Sequence, residues 1–477
     1  MRATSSHGAL VAIAFAAVAM TAPMAHAGPD ASGGPPSASP GQAGAHVRRL
    51  ENGLTVIVEE DHRTPLVSLV LRYDVGERAA SPGLHGTAAL TQALASYATQ
   101  HVPAGDASRL LWRAGATFSD ATYADYSALN VTLPATRLAL PLWVWSDQMG
   151  FFPETMDDAR FREKRDDLAG WKKAQRTGTP LANIDSIADE ELFPPQHPYH
   201  EAYGTPDSVA RIRFADVVEF HDRWMTPDHA TLVVVGDVAA ADAFAQVERY
   251  FGPIPASTGR GRIPALPVPE LAGETLVEAQ ARVPAARLFV RWPTPRFMTT
   301  DDARLDVVAS LLTGRSRALL SWELVGNKKV AAYVWAGQRS RSLASEFAVY
   351  IEGAPGKTAT EVLAAFDGAM DALLARPLEQ LDVDHAVYDT IVERAYGWEA
   401  ASTRASEYAK YQAAVGSPSY LLRDLARFEG ITPSVVSDAL KRLLPRDRRV
   451  VVLVSPSPAA TPAGERVSRR TVPARQP

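Results

Sequence analysis

Two short apolar runs, Ala230-Thr-Leu-Val-Val-Val-Gly236 and Arg449-Val-Val-Val-Leu-Val454, constrain the fold of this chain most. Both are rich in β-branched residues and read as strands. Each comes at the end of a similar succession of strand and helix signals, so the chain divides into two halves, 48–255 and 275–455, separated by a Pro- and Gly-rich linker at 256–274. The recurrence points to an ancient duplication of one α+β unit.

In the first half, Asn52-Gly53 marks a turn, followed by strands over 54–59 and 66–75 that are expected to pair antiparallel. Leu90, Leu94 and Tyr97 share one stripe of a helix predicted over 86–100, entered through Pro82-Gly83. A strand at 126–133, helices at 138–148 and 156–173, and a helix at 241–251 after the valine run complete this half. In the second half the same signals place strands at 288–292, 330–336 and 346–352 and helices at 302–312 and 359–374.

The first 27 residues read as a secretory signal: Arg2, an apolar run over 9–22, and Ala25-His26-Ala27 before a cleavage site at Gly28. The apolar run is too short to span a bilayer comfortably, so export without a lasting membrane anchor, most simply to a periplasm, is expected. Residues 28–47 read as a flexible leader and 456–477 as a disordered tail. The chain has no cysteine, which excludes disulfides, thiolate metal sites and a cysteine nucleophile. Its 49 Lys and Arg against 54 Asp and Glu leave no basic surplus for a phosphate backbone, so nucleic acid is not an expected partner.

Several segments carry a family resemblance. Asn52-Gly53-Leu54-Thr55-Val56, Asp74-Val75-Gly76-Glu77-Arg78 and Gly86-Thr-Ala-Ala-Leu-Thr-Gln-Ala-Leu94 stand in the order of the opening of the M16 (insulinase-like, pitrilysin-type) zinc peptidases. His197-Pro198-Tyr199, Tyr203-Gly204-Thr205, the segment 225–237 and Tyr250-Phe251-Gly252-Pro253-Ile254-Pro255 continue the match. The chain resembles one M16B-type polypeptide over 48–455. The resemblance implies an α+β fold of two homologous LuxS/MPP-like halves, each a mainly antiparallel sheet with helices on one face, forming a clamshell.

The family's chemistry rests on His-x-x-Glu-His on a helix, two imidazoles holding zinc and the Glu acting as base on a metal-bound water, with a distant third ligand. Alignment through Gly86 and Leu94 puts Ala89 and Ala93 at the two His positions and Gln92 at the base, and the family's spacing puts Gly170 at the third ligand. Methyl groups offer zinc no lone pair, and a Gln amide does not take a proton from water. No catalytic residue and no zinc are therefore expected here, zinc being expected only in a partner subunit.

Elsewhere, His85 reads as an exposed loop imidazole, His197 and His200 as loop residues, and the pairs Asp166-Asp167 and Glu190-Glu191 as solvated faces. The family's substrate-holding Arg and Tyr align with Val325 and Ala332, with Tyr333 one residue away and Gly326 at the Arg position after a one-residue slip. Tyr333, Arg317 and Lys328 are the candidate peptide contacts, with Arg315 and Lys329 beside them. The resemblance implies a non-catalytic subunit paired with an M16 chain that keeps its zinc motif, handling peptides or unfolded protein segments. A stand-alone periplasmic peptide-binding protein and a peptidase with relocated zinc ligands are the alternatives.

Overall fold

A computed structural model describes residues 44–152, 156–257, 263, 265–316 and 318–474. The expected signal peptide, nearly all of the expected leader, and Arg317 lie outside the described residues. The first half builds a six-stranded sheet from β1 (His46–Arg49), β2 (Thr55–Glu60), β3 (Leu66–Tyr73), β4 (Thr117–Thr122), β5 (Ser127–Pro134) and β6 (Ala230–Gly236), in the order β1-β2-β6-β3-β5-β4. The second builds β7 (Gly273–Ala281), β8 (Arg287–Thr294), β9 (Ala331–Arg339), β10 (Ser345–Gly353), β11 (Val450–Pro456) and β12 (Glu465–Pro473), in the order β12-β7-β11-β8-β10-β9. The two orders are equivalent. β6 runs parallel to β2 and antiparallel to β3, as β11 runs parallel to β7 and antiparallel to β8. The fold is the α+β pair of homologous, mainly antiparallel halves that the sequence led us to expect.

Three local expectations are corrected. β2 and β3 are not hydrogen-bonded partners, because β6 lies between them; the loop joining them steps over one strand position, and the hairpin at Asn52-Gly53 pairs β1 with β2 instead. Asn52 fastens that hairpin by donating to the carbonyls of Phe251 and Ile254, at 2.7 and 2.8 Å. His46 and Val47, assigned to the leader, belong to β1. The expected disordered tail contains β12, whose side chains are all exposed and which is held by its backbone ladder to β7 and by Arg466 and Arg469 on Glu190 and Glu191. A strand without a buried face shows no hydrophobic alternation to read.

The valine runs lack alternation because both of their faces are buried. Leu232 and Val234 of β6 face helices of their own half, Ala139–Gly150, Phe214–Trp224 and Ala240–Phe251, through Trp145, Trp224 and Phe244. Val233 and Val235 face Ala405, Tyr408 and Ala409 on helix Ala401–Val415, which comes from the second half. The exchange is returned. Val451 and Leu453 of β11 meet Val362, Phe366 and Leu440 on helices Ala359–Ala375 and Pro433–Leu443, whereas Val450, Val452 and Val454 meet Ile184 and Ala188 on helix Ala182–Leu192 of the first half. Each sheet thus carries its own helices on one face and a lent helix on the other.

Ion pairs tie down both lent helices. Arg291 of β8 is buried and pairs with Asp185, with Asp189 at 3.1 Å and with Glu346 at 3.2 Å, while Arg339 and Arg341 also reach Glu346. Burial works against the charge on Glu346, yet Arg291 and Arg341 hold its pKa below the ordinary range; on Asp189 burial wins and pushes the carboxyl up to about 6. On the other side Arg404 pairs with Glu59 at 3.0 Å and with Asp61. A further cluster inside the second half sets Asp302, Asp306 and Asp424 around Arg394 and Arg427. Burial, opposed by Arg394 and reinforced by Asp302, pushes Asp306 up to about 7.

Two outcomes follow from these clusters. Arg291→Met leaves Glu346 and Asp189 buried with less countercharge and should lower stability by about 3–5 kcal/mol in urea unfolding, still as one cooperative transition because neither sheet is covered without the other half. Asp306 keeps in the folded chain a proton that the unfolded chain gives up near pH 4, so its stabilising contribution is full below that pH and lost as pH rises through about 7. Asp306→Asn cannot ionise. Its melting temperature relative to the parent should therefore shift in the variant's favour between about pH 5 and pH 8.

Candidate functional site

The helix expected to carry the chemistry is Thr87–Tyr97. It begins at Gly86, whose φ of +107° suits glycine, and a Cβ there would stand 2.5 Å from Val209 Cγ2. The free N–H groups of the first turn are taken by a buried carboxylate: Glu77 accepts from Gly86 N at 2.7 Å and Ala89 N at 2.9 Å. Burial pushes the Glu77 carboxyl up, and the nearby Lys172 ammonium is the largest opposing influence. Burial likewise pushes Lys172 down while Glu77 pulls it back up. Lys172 also donates to the carbonyl of Tyr203.

The motif positions follow along this helix. Ala89 is half-buried, Gln92 is buried and Ala93 is exposed. Gln92 is engaged: its Oε1 accepts from Thr122 Oγ1 at 2.8 Å, and its side chain also hydrogen-bonds Asp120, whose carboxyl burial pushes up. Thr122 and Asp120 belong to β4, the free edge of the first sheet. Gly170 requires a correction. It lies on helix Asp158–Gly178 but is exposed, with open space where a Cβ would stand, because that helix turns Phe161, Leu168 and Lys172 inward and a residue two places from Leu168 points roughly 200° away. Lys172, not position 170, approaches the start of the motif helix.

The residues present do not fit zinc. Two methyls and an amide committed to Thr122 and Asp120 provide no imidazole or free carboxylate at the motif, and the group from the neighbouring helix that acts on Glu77 at the helix start is the Lys172 ammonium, a cation. In a zinc site the metal would join these two helices. Here the Glu77 and Lys172 charges, Lys164 over the Tyr97 ring at 4.4 Å, and Phe161 packed with Leu90 and Leu94 make that connection.

The other candidates resolve as follows. His85 is half-buried with an unpartnered Nδ1, not an exposed loop imidazole, and burial pushes its pKa down. His197 accepts from Tyr199 N at 3.1 Å and stacks on Phe193; burial pushes it down to about 4, which keeps it neutral. His200 donates to the Phe193 carbonyl. Their segment joins the halves, because Tyr199 OH donates to Asp125 at 2.5 Å and accepts from Leu343 N at 3.1 Å. Asp166 and Asp167 are exposed as expected, but Glu191 is half-buried with its carboxylate covered by Arg466 and Arg469, so Glu190-Glu191 is not a solvated face. Among the described residues no group of three His, Asp or Glu side chains is placed to hold a metal.

Tyr333 lies exposed on β9, the free edge of the second sheet, 6.0 Å from the Tyr350 ring, with Trp335 exposed two residues on. Lys328 pairs with Glu323 at 3.3 Å, Val325 packs against the core, and Ala332 is exposed. Gly326, Arg315 and Lys329 are exposed, and Lys329 has a φ of +51°. Tyr333 and the motif helix thus belong to different sheets. Sequence reasoning missed Glu77, Lys172, Asp120 and Trp335; only Glu77 carried a signal, as an acidic residue in a Gly-containing turn just before the helix.

Removing the Lys172 charge should expose the connection between the two helices. Lys172→Met is expected to cost about 1–3 kcal/mol by leaving Glu77 without its opposite charge, and adding Glu77→Gln should cost less than the sum of the two single changes. A double-mutant cycle in urea measures the coupling, and strict additivity would show that the two charges do not interact.

Comparison with known proteins agrees with this geometry. Residues 211–387 match the family model described as the Peptidase M16 inactive domain. Over 370 residues the chain is 22% identical to the zinc protease PqqE of Helicobacter pylori (strain ATCC 700392 / 26695), covering 76% of this chain and 82% of that protein. Its fold superposes on the crystal structure of a protease from Helicobacter pylori with a TM-score of 0.80 at 20% identity, covering 86% of this chain and 99% of the other. On the periplasmic protease PqqL from Escherichia coli the TM-score is 0.70 at 15% identity, with 91% of this chain matched to 51% of PqqL. With two equivalent half-sheets and the helix that opens the motif in place, the chain has the fold of these M16-type proteins and is similar to the Peptidase M16 inactive domain over residues 211–387.

Proposed function

We propose that this chain is a zinc-free M16 subunit that closes a peptide-processing chamber against a separate, zinc-bearing M16 chain. The observation that carries the reading is the state of the motif helix: methyls at Ala89 and Ala93, and Gln92 tied into β4. A helix that keeps its buried carboxylate anchor without metal-binding side chains has its shape, not its chemistry, to contribute. The match to 51% of PqqL supports the pairing, because that protein is long enough for two units of this size in one polypeptide. The signal-like first 27 residues place the chain, in this reading, in the periplasm.

Peptide handling falls to the free edges. Among the described residues β4 and β9 each have a strand partner on one side only, with Ala336 of β9 capped by Thr313 on the other, and an extended segment can add to the rest of such an edge by main-chain hydrogen bonds. On β9, Tyr333 and Trp335 offer exposed aromatic faces to its side chains. The same edge would serve a stand-alone peptide-binding protein, and association separates the two readings.

The purified chain should hold far less than stoichiometric zinc by elemental analysis, and its melting temperature should be unchanged by a chelator. Stoichiometric zinc with chelator-sensitive peptide cleavage would overturn the proposal. Mixed with a zinc-bearing M16 chain from the same periplasm, it should elute from size-exclusion chromatography as a 1:1 complex. Two unchanged peaks at micromolar concentration, with saturable peptide binding by this chain alone, would establish the stand-alone role instead.

A further inference from the structure

A cavity of about 210 Å³ opens on the helix side of the second sheet. Trp292, almost wholly buried, forms its floor, and Met370, Leu374, Leu440 and Leu444 line its walls. The Trp292 indole N–H is already satisfied by the Pro445 carbonyl at 2.9 Å, so the ring offers the cavity only an apolar face. The space equals about seven waters, enough for an isobutyl or benzyl group and well short of a drug-sized molecule.

Both signs of charge meet this apolar space. Asp367, deep and buried, lies between Arg446 at 2.9 Å and Arg449 at 2.7 Å, but its Oδ1 makes no directed hydrogen bond. Asp371 is exposed nearer the solvent, and among the described residues its ion-pair partner is Arg446, at 3.0 Å. Arg449 is shared with Glu274. Lys441 lines the cavity, is exposed and makes no ion pair with any described residue. The lining itself holds Lys441, Arg446 and Arg449 against Asp367 and Asp371, and Glu274, outside it, takes up part of Arg449, so the charges balance only as a whole and favour a ligand carrying both signs over a simple anion or cation.

We propose that this cavity binds a free apolar α-amino acid of the size of leucine or phenylalanine, with its side chain on Trp292, its ammonium on Asp371 and its carboxylate on Lys441. The site lies on a different sheet from the motif helix and does not depend on the zinc-free reading. A fatty acid would pair with Lys441 but add no cation beside the exposed Asp371, which shares Arg446 with Asp367, and an uncharged hydrocarbon would leave Lys441 unpaired as well. A peptide N-terminus shares the ammonium and the side chain but not the free carboxylate.

Calorimetric titration of the full chain tests this. L-phenylalanine should bind saturably with one site per chain. N-acetyl-L-phenylalanine and L-phenylalaninamide should each bind about tenfold more weakly or worse, as expected when one charged contact is lost. Lys441→Gln should weaken L-phenylalanine by a similar factor with little change in melting temperature, because the side chain it replaces is exposed and unpaired and no like charge is added beside Asp371. No saturable heat at millimolar L-leucine or L-phenylalanine would overturn the proposal. So would undiminished binding of L-phenylalanine by Lys441→Gln, while equal binding of L-phenylalaninamide would assign the cavity to peptide N-termini.

Discussion

The structure depends on a reciprocal cover. Each sheet has two apolar faces and enough helices in its own half for only one, so each half completes its core with a helix lent by the other. A bare valine-rich face would expose a large apolar patch to water, and its burial contributes roughly 25 cal/mol per Å² of apolar area. Neither sheet is closed alone. The same arrangement fixes how the two halves sit, because Ala182–Leu192 and Ala401–Val415 each pack on strands of the opposite half, and arginines anchor both.

That constraint explains the placing of the buried charges. An apolar contact tolerates sliding, whereas Arg291 among Asp185, Asp189 and Glu346 is satisfied in one register only. Removing either side of such a cluster strands the other in a low-dielectric interior. Arg404 on Glu59 and Asp61 does the same for the other lent helix with the signs exchanged, the cation on the helix and the carboxylates on the sheet.

Within this frame the motif helix is held from one end. Glu77 closes its first turn, and Gly86 lets it start in close contact with Val209. Because these contacts use the backbone N–H of Ala89 but no side chain of residues 89, 92 or 93, the helix start is held without the metal that its relatives' motif would bind, and Gln92 links the helix to the edge strand β4. At the helix start the holding is done by backbone N–H groups and the Glu77 carboxylate, whereas the family's chemistry would need side chains at residues 89, 92 and 93.

Much of the plan was legible in the chain itself. The valine runs, the helix around Leu90 and Leu94, the succession of elements in each half and the side-chain types at Ala89, Gln92 and Ala93 are local properties, and local periodicity and chemistry report them. What the sequence could not contain is anything set by partners far apart along it. Nothing local says that β6 separates β2 from β3, that Lys172 faces Glu77, or that β12 pairs along a strand with no buried face. The third motif position was missed because a residue count ignores which way a helix turns its side chains, and only packing against Leu90 and Leu94 sets that direction. The sequence by itself determined the valine-run strands, the motif helix and the loss of the ligand set. The tertiary structure decided strand order, the exchange of helices and the pairing of buried charges, because each of these is an agreement between segments that only the folded chain brings together.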